Sequence, residues 1–536
     1  MARAKVVLPW VALAALSALG LSLAAPLAVE GWAFPGYLLV TGVGTLLLAL
    51  AWRQVSGGWA LQLMPRHLLA ALMVGLLMRL ACGAVFYRAL PEHGYETRYH
   101  NAGFFFYDAF KRDRDAWAIA RTDLPLATGL LDPIKSDQYG GLLVLESLVY
   151  AGASGSVARP LLQVGLTAFV SVLAILYTWA FGRQEFSEGA GGIAAWIVAL
   201  FPEAVLLATV PMREPYIAAA LAMALFGYSA VRHSARRAGL VALVGGIALS
   251  LIVSPPFAVL ILAALGLGLL LEAHVSRAVR WGVVGGILVL VLVAGALSVR
   301  GWRTTAVDSD RSLLAVLSSR LSMVPSFQIE RLEQGSGWVE AIFDRTPDWT
   351  HPGLVIFYGA TQPLLPAALA DNTSIPLMRA VAVWRAAGWF LLSIPLVYGM
   401  LAAATRQGWR QRGVAFLAIV TLLTTIVAAY WGGGDQWDNP RYRSAFLAAQ
   451  AVFAAWAWLE ARRRGSPWLV RVGWLMGGVT LCLLTWYVGR YYQTPRLSLF
   501  PTLAVAVAFV ALSLGVWTVR DLRRARSRLT PGGEGV

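Results

Sequence analysis

Apolar runs of bilayer-crossing length alternate with short polar stretches along the whole chain. A run of about 18 apolar residues is long enough to cross a bilayer as a helix. Such runs fall at roughly 7–28, 35–52, 68–88, 159–181, 190–209, 213–231, 239–254, 256–272, 281–299, 379–401, 414–431, 445–460, 468–489 and 499–518, which predicts about fourteen transmembrane helices. The stretch "QYGGLLVLESLVYAGA", 138–153, is apolar but short, and it carries Glu146. It reads as a helix lying in or dipping into one leaflet, since non-spanning segments at membrane depth are tolerated where protein covers them.

The charges orient these spans. Arg3 and Lys5, then Arg232, Arg236 and Arg237, Arg277 and Arg280, Arg406, Arg410 and Arg412, and Arg462, Arg463 and Arg464 fall on one side. The tail adds Arg520, Arg523, Arg524, Arg526 and Arg528 to that side. Counting 138–153 as a full span would break this agreement. By the positive-inside rule the basic side is the cytoplasm, which puts both termini there in a bacterial plasma (inner) membrane. Polar segments 89–137, 300–378 and 431–443, with the turn 210–214, then face outside. "SLAAPLA" near the N-terminus could pass for a signal-peptide end, but a second apolar run follows within a few residues, so a first spanning helix is expected. The chain divides into an N-terminal transmembrane hairpin (1–67), a helical module (68–300) whose first outer loop region is 89–158, an outer loop region (301–378) and a C-terminal transmembrane region (379–536).

Composition agrees. Of 536 residues, 58% are hydrophobic and 13% charged, with mean hydropathy +0.65, against about 25% charged in soluble domains. The fold class expected is an all-α polytopic membrane protein with juxtamembrane helices on the outer face. The net charge of +16 comes from clusters between spans, so it points to membrane lipids and not to nucleic acid. Cys82 and Cys482 lie inside apolar runs and imply no disulfide framework. The six histidines are scattered, and no HExxH, CxxC or Walker pattern occurs, which excludes a zinc enzyme or nucleotide motor of the usual kinds. No metal ligands and no cofactor are assigned, although a carboxylate-bound divalent cation stays open.

Candidate chemistry gathers in the outer segments. In "FFFYDAFKRDRDAWAIARTDLP", helical spacing puts Phe106, Phe110, Asp113, Trp117 and Ala120 on one face. Asp108, Arg112 and Asp115 share another, charged face. Two readings stand for this helix. In one, its aromatics sit at headgroup level and Arg112 or Arg114 neutralises Asp113. In the other, Asp113 is a poorly hydrated carboxylate able to take a proton from an acceptor.

"VPMREPY" places Arg213 and Glu214 at the start of a helix, with Pro215 in its first turn. A helix start favours anions, and a guanidinium grips phosphate in a bidentate way. Simple snorkelling or a salt bridge to Glu214 is the plainer reading. "DNPRYRSAF" repeats the arrangement, with Asn439 as expected N-cap, Pro440 at the first helical position and Arg441 and Arg443 in the first turn. The helix dipole disfavours cations there, so an anion is expected nearby: Asp435, Asp438 or a lipid phosphate.

The order of these features resembles the GT-C superfamily of membrane glycosyltransferases, and more narrowly the bacterial dolichyl-phosphate-mannose–protein mannosyltransferase-like proteins. The resemblance covers roughly 68–460. It rests on Asp113, Trp117 and Ala120 in the first loop, on "DQYGGLLVLESLVYAG", on "ALFPEAVLLATVPMREP" and on "NPRYRSAF". Two helices precede the family's first span, Asp113-Arg114-Asp115 stands where the family has an Asp-Glu pair, and the His-Pro-Pro of protein-mannosylating members is missing.

The resemblance implies a GT-C-like helical bundle and transfer of a sugar from a polyprenyl-phosphate-sugar donor to a glycan, lipid or protein acceptor on the outer side. The reaction would be an inverting single displacement. An acidic base is implied, with Asp113 first, Asp108 second and Asp115 third. Arg213, Arg441 and Arg443 would bind the donor phosphate. Glu214 would orient Arg213 or contact the sugar, with Arg112 and Tyr139 in support. A lipid or glycan transporter or flippase, and a glycan polymerase or ligase of unrelated fold, are the alternatives.

Overall fold

The computed structural model describes residues 2–25, 34–59, 64–122, 139–233, 236–271, 342–405 and 411–529, with scattered positions between 125 and 137 and between 281 and 293. Among the described residues all regular structure is helical. Helices α1 (Ala2–Ala24), α2 (Phe34–Ser56) and α3 (Arg66–His93) lead into the first polar loop, which contains α4 (Arg98–Asn101) and α5 (Tyr107–Ala120). The short α6 (Gly141–Ala153) follows, then α7 (Pro160–Glu185), α8 (Glu188–Leu200), α9 (Pro202–Leu207), α10 (Arg213–Arg232), α11 (Arg236–Val253) and α12 (Pro255–Leu270). Beyond the second polar region come α13 (His351–Thr361), α14 (Leu365–Ala370), α15 (Pro376–Ala403), α16 (Arg412–Gly432), α17 (Asp438–Ser444), α18 (Leu447–Arg463), α19 (Trp468–Tyr491) and α20 (Leu499–Leu529).

Helix α7 is the hub. It is apolar on all sides, and such a helix belongs in a core. Its spanning window is 100% buried, and it packs against α2, α3, α8 and α10. The α19–α20 pair sits at the edge, with 11% of each window buried. The chain is an all-α polytopic membrane protein.

The expected count of about fourteen spans is not reached. Among the described residues nine helices are long and apolar enough to cross a membrane, or ten if α17 and α18, bent by 75°, form one broken span. Expected spans 239–254 and 256–272 are the shorter helices α11 and α12. Most of the expected span 281–299 and of loop 301–378 lies outside the described residues. The 13-residue α6 is too short to span by length, as the charge pattern required.

The expected span 190–209 is broken at Pro202 into α8 and α9, because proline has no N–H for the carbonyl of Val198. The fully buried Arg79 on α3 supplies the missing donors. Its Nη2 donates to the Val198 carbonyl at 3.0 Å, its Nη1 to Ala199 at 3.0 Å and to Gly75 at 2.8 Å, and its Nε to Ser171 Oγ at 2.8 Å. Helix α15 packs directly on this break. A Cβ on Gly388 would stand 2.4 Å from Pro202 Cδ, so only glycine permits the approach. One turn earlier on α15, Arg385 reaches Glu203, just past the break.

Candidate active site

Three helices from distant parts of the chain begin at one place. Helix α5 starts after Phe106 in extended backbone and carries Asp108 in its first turn, where an acid suits the helix dipole. Helix α10 starts after Met212 with Arg213 and Glu214. Helix α17 is capped by Asp435, whose Oδ1 accepts from the backbone N–H of Trp437 at 2.6 Å and of Asp438 at 2.7 Å. Asn439 is therefore not the N-cap. Its amide instead donates to the Gly433 carbonyl at 2.6 Å.

Arg441 joins the three starts. Its Nε donates to Glu214 Oε1 at 2.5 Å and its Nη1 to Asp108 Oδ2 at 3.1 Å, with Asp438 Oδ1 at 3.7 Å. Pro440 is the third helical residue, and Arg441 and Arg443 fall in the last turn of α17 and not the first; the anions that partner Arg441 come chiefly from α10 and α5. Glu214 is buried, while 51% of the Asp108 side chain is exposed. Burial pushes the Asp108 carboxyl up, but the hydrogen-bonded Arg441 guanidinium, with Arg112 and Arg213 beyond, holds it below the ordinary carboxylate range. Arg213 is half-buried beside this group, its guanidinium 5.3 Å from the Tyr139 ring centre. Among the described residues Arg213 makes no ion pair, so its simple pairing with Glu214 is not found.

Asp113 belongs to a second, enclosed cluster on the other side of α5. It is buried and accepts a hydrogen bond from the Tyr150 hydroxyl at 2.5 Å. Burial pushes its carboxyl up to about 7, with the Tyr150 hydrogen bond pulling the other way. Glu146 lies in the same compartment. It is 1% exposed, neither carboxylate oxygen has a partner among the described residues, and burial drives it well above its ordinary range. Neither Arg112 nor Arg114 forms an ion pair with Asp113 there. Arg114 lies 3.5 Å from Asp115.

Arg112, which spacing places on the charged face with Asp108 and Asp115, is fully buried. Its Nη1 donates to the Pro211 carbonyl at 2.7 Å, and its Nε lies 4.0 Å from Asp137. Asp137 in turn accepts the Leu143 N–H at 3.0 Å and so caps the start of α6. Arg112 therefore ties α5 both to the turn that presents Arg213 and to α6. An exposed arginine would be the default from pattern alone, because nothing in the sequence announces a carbonyl partner 99 residues away.

The structure brings Asp108, Glu214, Arg441 and Arg213 together, with Tyr139 beside them. Asp113 is set apart with Tyr150 and Glu146, and Asp115 pairs with Arg114. Arg443 is turned away from the group, buried against Trp389. Glu203 was missed by the sequence reading, although it stands in the stretch "LFPEA". It forms a bidentate pair with Arg385 at 2.5 and 3.0 Å, both residues buried. Among the described residues no group of three or more His, Cys, Asp or Glu side chains is placed to hold a metal ion.

No family model matches the sequence, and no curated protein matches it. Solved structures of an oligosaccharyltransferase from Archaeoglobus fulgidus are similar to this chain. One, in complex with an inhibitory peptide and a dolichol-phosphate, has 18% identity and TM-score 0.39 over 83% of this chain and 54% of its own. Another, in complex with Zn and sulfate, has 17% identity and TM-score 0.39 over 79% of this chain and 52% of its own. The chain thus spans about half the length of those proteins.

Proposed function

We propose that this chain is a membrane glycosyltransferase that moves a sugar from a polyprenyl-phosphate-linked donor to an acceptor hydroxyl or amine on the outer side. One observation carries the reading: Arg441, midway along the short α17, joins Asp108 and Glu214 at the starts of α5 and α10, with Arg213 beside them. Helix starts and guanidinium groups both favour a phosphate. A half-exposed carboxylate beside them is where an acceptor proton can go. The outer side follows from the basic clusters, which sit at the opposite end of α10 from Arg213.

Arg213 and Arg441 grip the donor phosphate. The acceptor atom bonds to the anomeric carbon as that carbon's bond to the phosphate oxygen breaks. The polyprenyl phosphate leaves with the electron pair, and the acceptor's proton passes to Asp108. Direct displacement inverts the anomeric centre. Geometry favours Asp108 over Asp113 as base, because Asp113 is enclosed and held by Tyr150. Phosphate competes with Asp108 for Arg441 Nη1. Donor binding then releases Asp108 from its ion pair and makes it more basic when the acceptor arrives.

The test uses purified full-length protein in liposomes, radiolabelled polyprenyl-phosphate-hexoses, and cell-envelope extract as acceptor source. Wild type is expected to release polyprenyl phosphate and label the acceptor. Asp108→Asn should lower turnover by roughly a hundredfold or more. Full turnover in that variant removes Asp108 as base. Absence of polyprenyl phosphate release by wild type from every donor rejects the function.

A further inference from the structure

We propose that α17 is a rigid carrier for Arg441, clamped onto α15 by two crossed arginine–tryptophan pairs, and that Arg443 and Arg385 are positioning residues. The inference rests on the reading of Arg441 as a donor-phosphate ligand.

A seven-residue helix does not hold itself in place, since isolated helices below about 12–15 residues are marginal even in water. Tertiary contacts must therefore set where Arg441 stands. Helix α15 offers Arg385 and Trp389, four residues apart and so on one face. Helix α17 offers Trp437, the residue just before it, and Arg443, its last residue but one. The pairs cross. The Arg385 guanidinium carbon lies 4.3 Å from the Trp437 ring centre, and the Arg443 guanidinium carbon lies 3.4 Å from the Trp389 ring centre. Each helix gives one cation and one ring, and the two contacts hold both ends of α17.

Hydrogen bonds close each pair. Arg385 Nη2 donates to the Trp437 carbonyl at 3.3 Å and, together with Nε, to Glu203 in a bidentate pair. Arg443 donates to the Gln362 carbonyl at 2.5 Å, to the Ala360 carbonyl at 3.4 Å and to Asn439 Oδ1 at 3.4 Å. The Trp389 indole N–H also reaches the Ala360 carbonyl, at 3.1 Å. Ala360 lies in the last turn of α13, whose last carbonyls have no partner within their own helix, so a cation there is well placed.

Arg443 is 2% exposed, with one face covered by Trp389 and donors committed to these acceptors. Both of its Nη groups are taken by protein acceptors, which leaves it poorly placed for a lipid phosphate. Arg441, two residues earlier, points the opposite way to Glu214 and Asp108. The RYR segment thus splits its tasks: one arginine faces the site and the other fixes the helix.

The experiment compares backbone hydrogen exchange in 437–444 with binding of radiolabelled polyprenyl-phosphate-hexose, using the full chain in detergent. Variants are Trp389→Leu, Trp389→Phe and Arg443→Gln. A desolvated cation–π contact is strong enough that its loss should speed exchange of 437–444 by about tenfold in Trp389→Leu and Arg443→Gln. Exchange in α10 should stay unchanged, and donor affinity should fall with the loosening of α17. Trp389→Phe keeps a ring and should lie near wild type in both measurements. If Arg443→Gln loses donor affinity while 437–444 stays protected, and Trp389→Leu binds donor normally, Arg443 is a phosphate ligand and the inference is overturned. If 437–444 loosens in both variants without any change in donor binding, the clamp stands and Arg441 is not the donor ligand.

Discussion

Asp113→Asn should change how stability depends on pH. In the folded protein the Asp113 carboxyl titrates near 7, against an ordinary 3.8, because burial disfavours its charge. Between those values the folded chain keeps a proton that the unfolded chain has lost. The contribution is therefore fully present below about 4 and is lost as pH rises to about 7. The separation is about 3 pH units, and each unit is about 1.4 kcal/mol, so wild type forfeits up to about 4 kcal/mol across this window. Asparagine cannot ionise and still accepts from Tyr150, so the variant is spared this loss. Glu146 titrates in the same direction, and part of its upward shift comes from Asp113, so some slope persists in the variant.

The assay is thermal unfolding in detergent, followed by tryptophan fluorescence from pH 5 to 8. The variant should gain on wild type as pH rises from 5 to about 7 and level off above that. Asp108→Asn is the control. The Asp108 carboxyl is held low, so its contribution is lost only as pH falls below the ordinary carboxylate range, outside the measured window. Its curve should run parallel to wild type. A wild-type minus Asp113→Asn difference that stays constant from pH 5 to 8 would refute the enclosed-carboxyl argument.

Other perturbations test the frame around the site. Gly388→Val drives a side chain into Pro202 and should cost about 1–3 kcal/mol or more, seen as a lowered Tm. Gly20→Val should not, because nothing lies within 4 Å of where its Cβ would stand. Arg79→Met strips the Val198 and Ala199 carbonyls of their donors and should destabilise by about 2 kcal/mol or more in the same assay. Glu203→Gln leaves Arg385 buried against a neutral partner and should cost about 3 kcal/mol. The double change Glu203→Gln with Arg385→Met should recover much of that loss. A double variant weaker than the single one would show that the ion pair itself is not the source.

Much of the frame was legible because a long apolar run has few alternatives. The expected spans 213–231 and 379–401 are contained in α10 and α15, and 159–181 lies in α7 but for its first residue. The turn before Arg213 and the non-spanning 141–153 helix followed from charge and length. What failed was information that resides in distant partners. The run 190–209 reads as one span, and neither its break at Pro202 nor the donors of Arg79 from another helix was foreseen. Arg112 sits at a spacing that places it on the charged face with Asp108 and Asp115, and only the Pro211 carbonyl and Asp137 explain its burial. Glu203 and Arg385 are separated by 182 residues, and neither carries a local sign of the other. The ranking of Asp113 above Asp108 came from the resemblance, through Asp113, Trp117 and Ala120, and the proposal that favours Asp108 rests on exposure instead. The aromatic stripe marks the face packed on the protein, whereas the exposed carboxylate stands at the helix start.

The buried charges also weigh the alternative of transport. Ionisable groups inside membrane spans generally mark an ion or substrate path when they face a cavity or can exchange partners. Arg79 is satisfied by three backbone carbonyls and a serine hydroxyl, with no carboxylate to exchange with. Arg385 and Glu203 are closed on each other in a bidentate pair, with Trp437 over the guanidinium. Each group repairs or fixes backbone: Arg79 at the α8–α9 break, Arg385 at the entry to α17. The charges left half-open, Asp108 and Arg213, lie instead at helix ends. Among the described residues Arg79, Arg385 and Glu203 are locked while Asp108 and Arg213 stay open at helix ends, which fits the proposed transfer reaction better than transport.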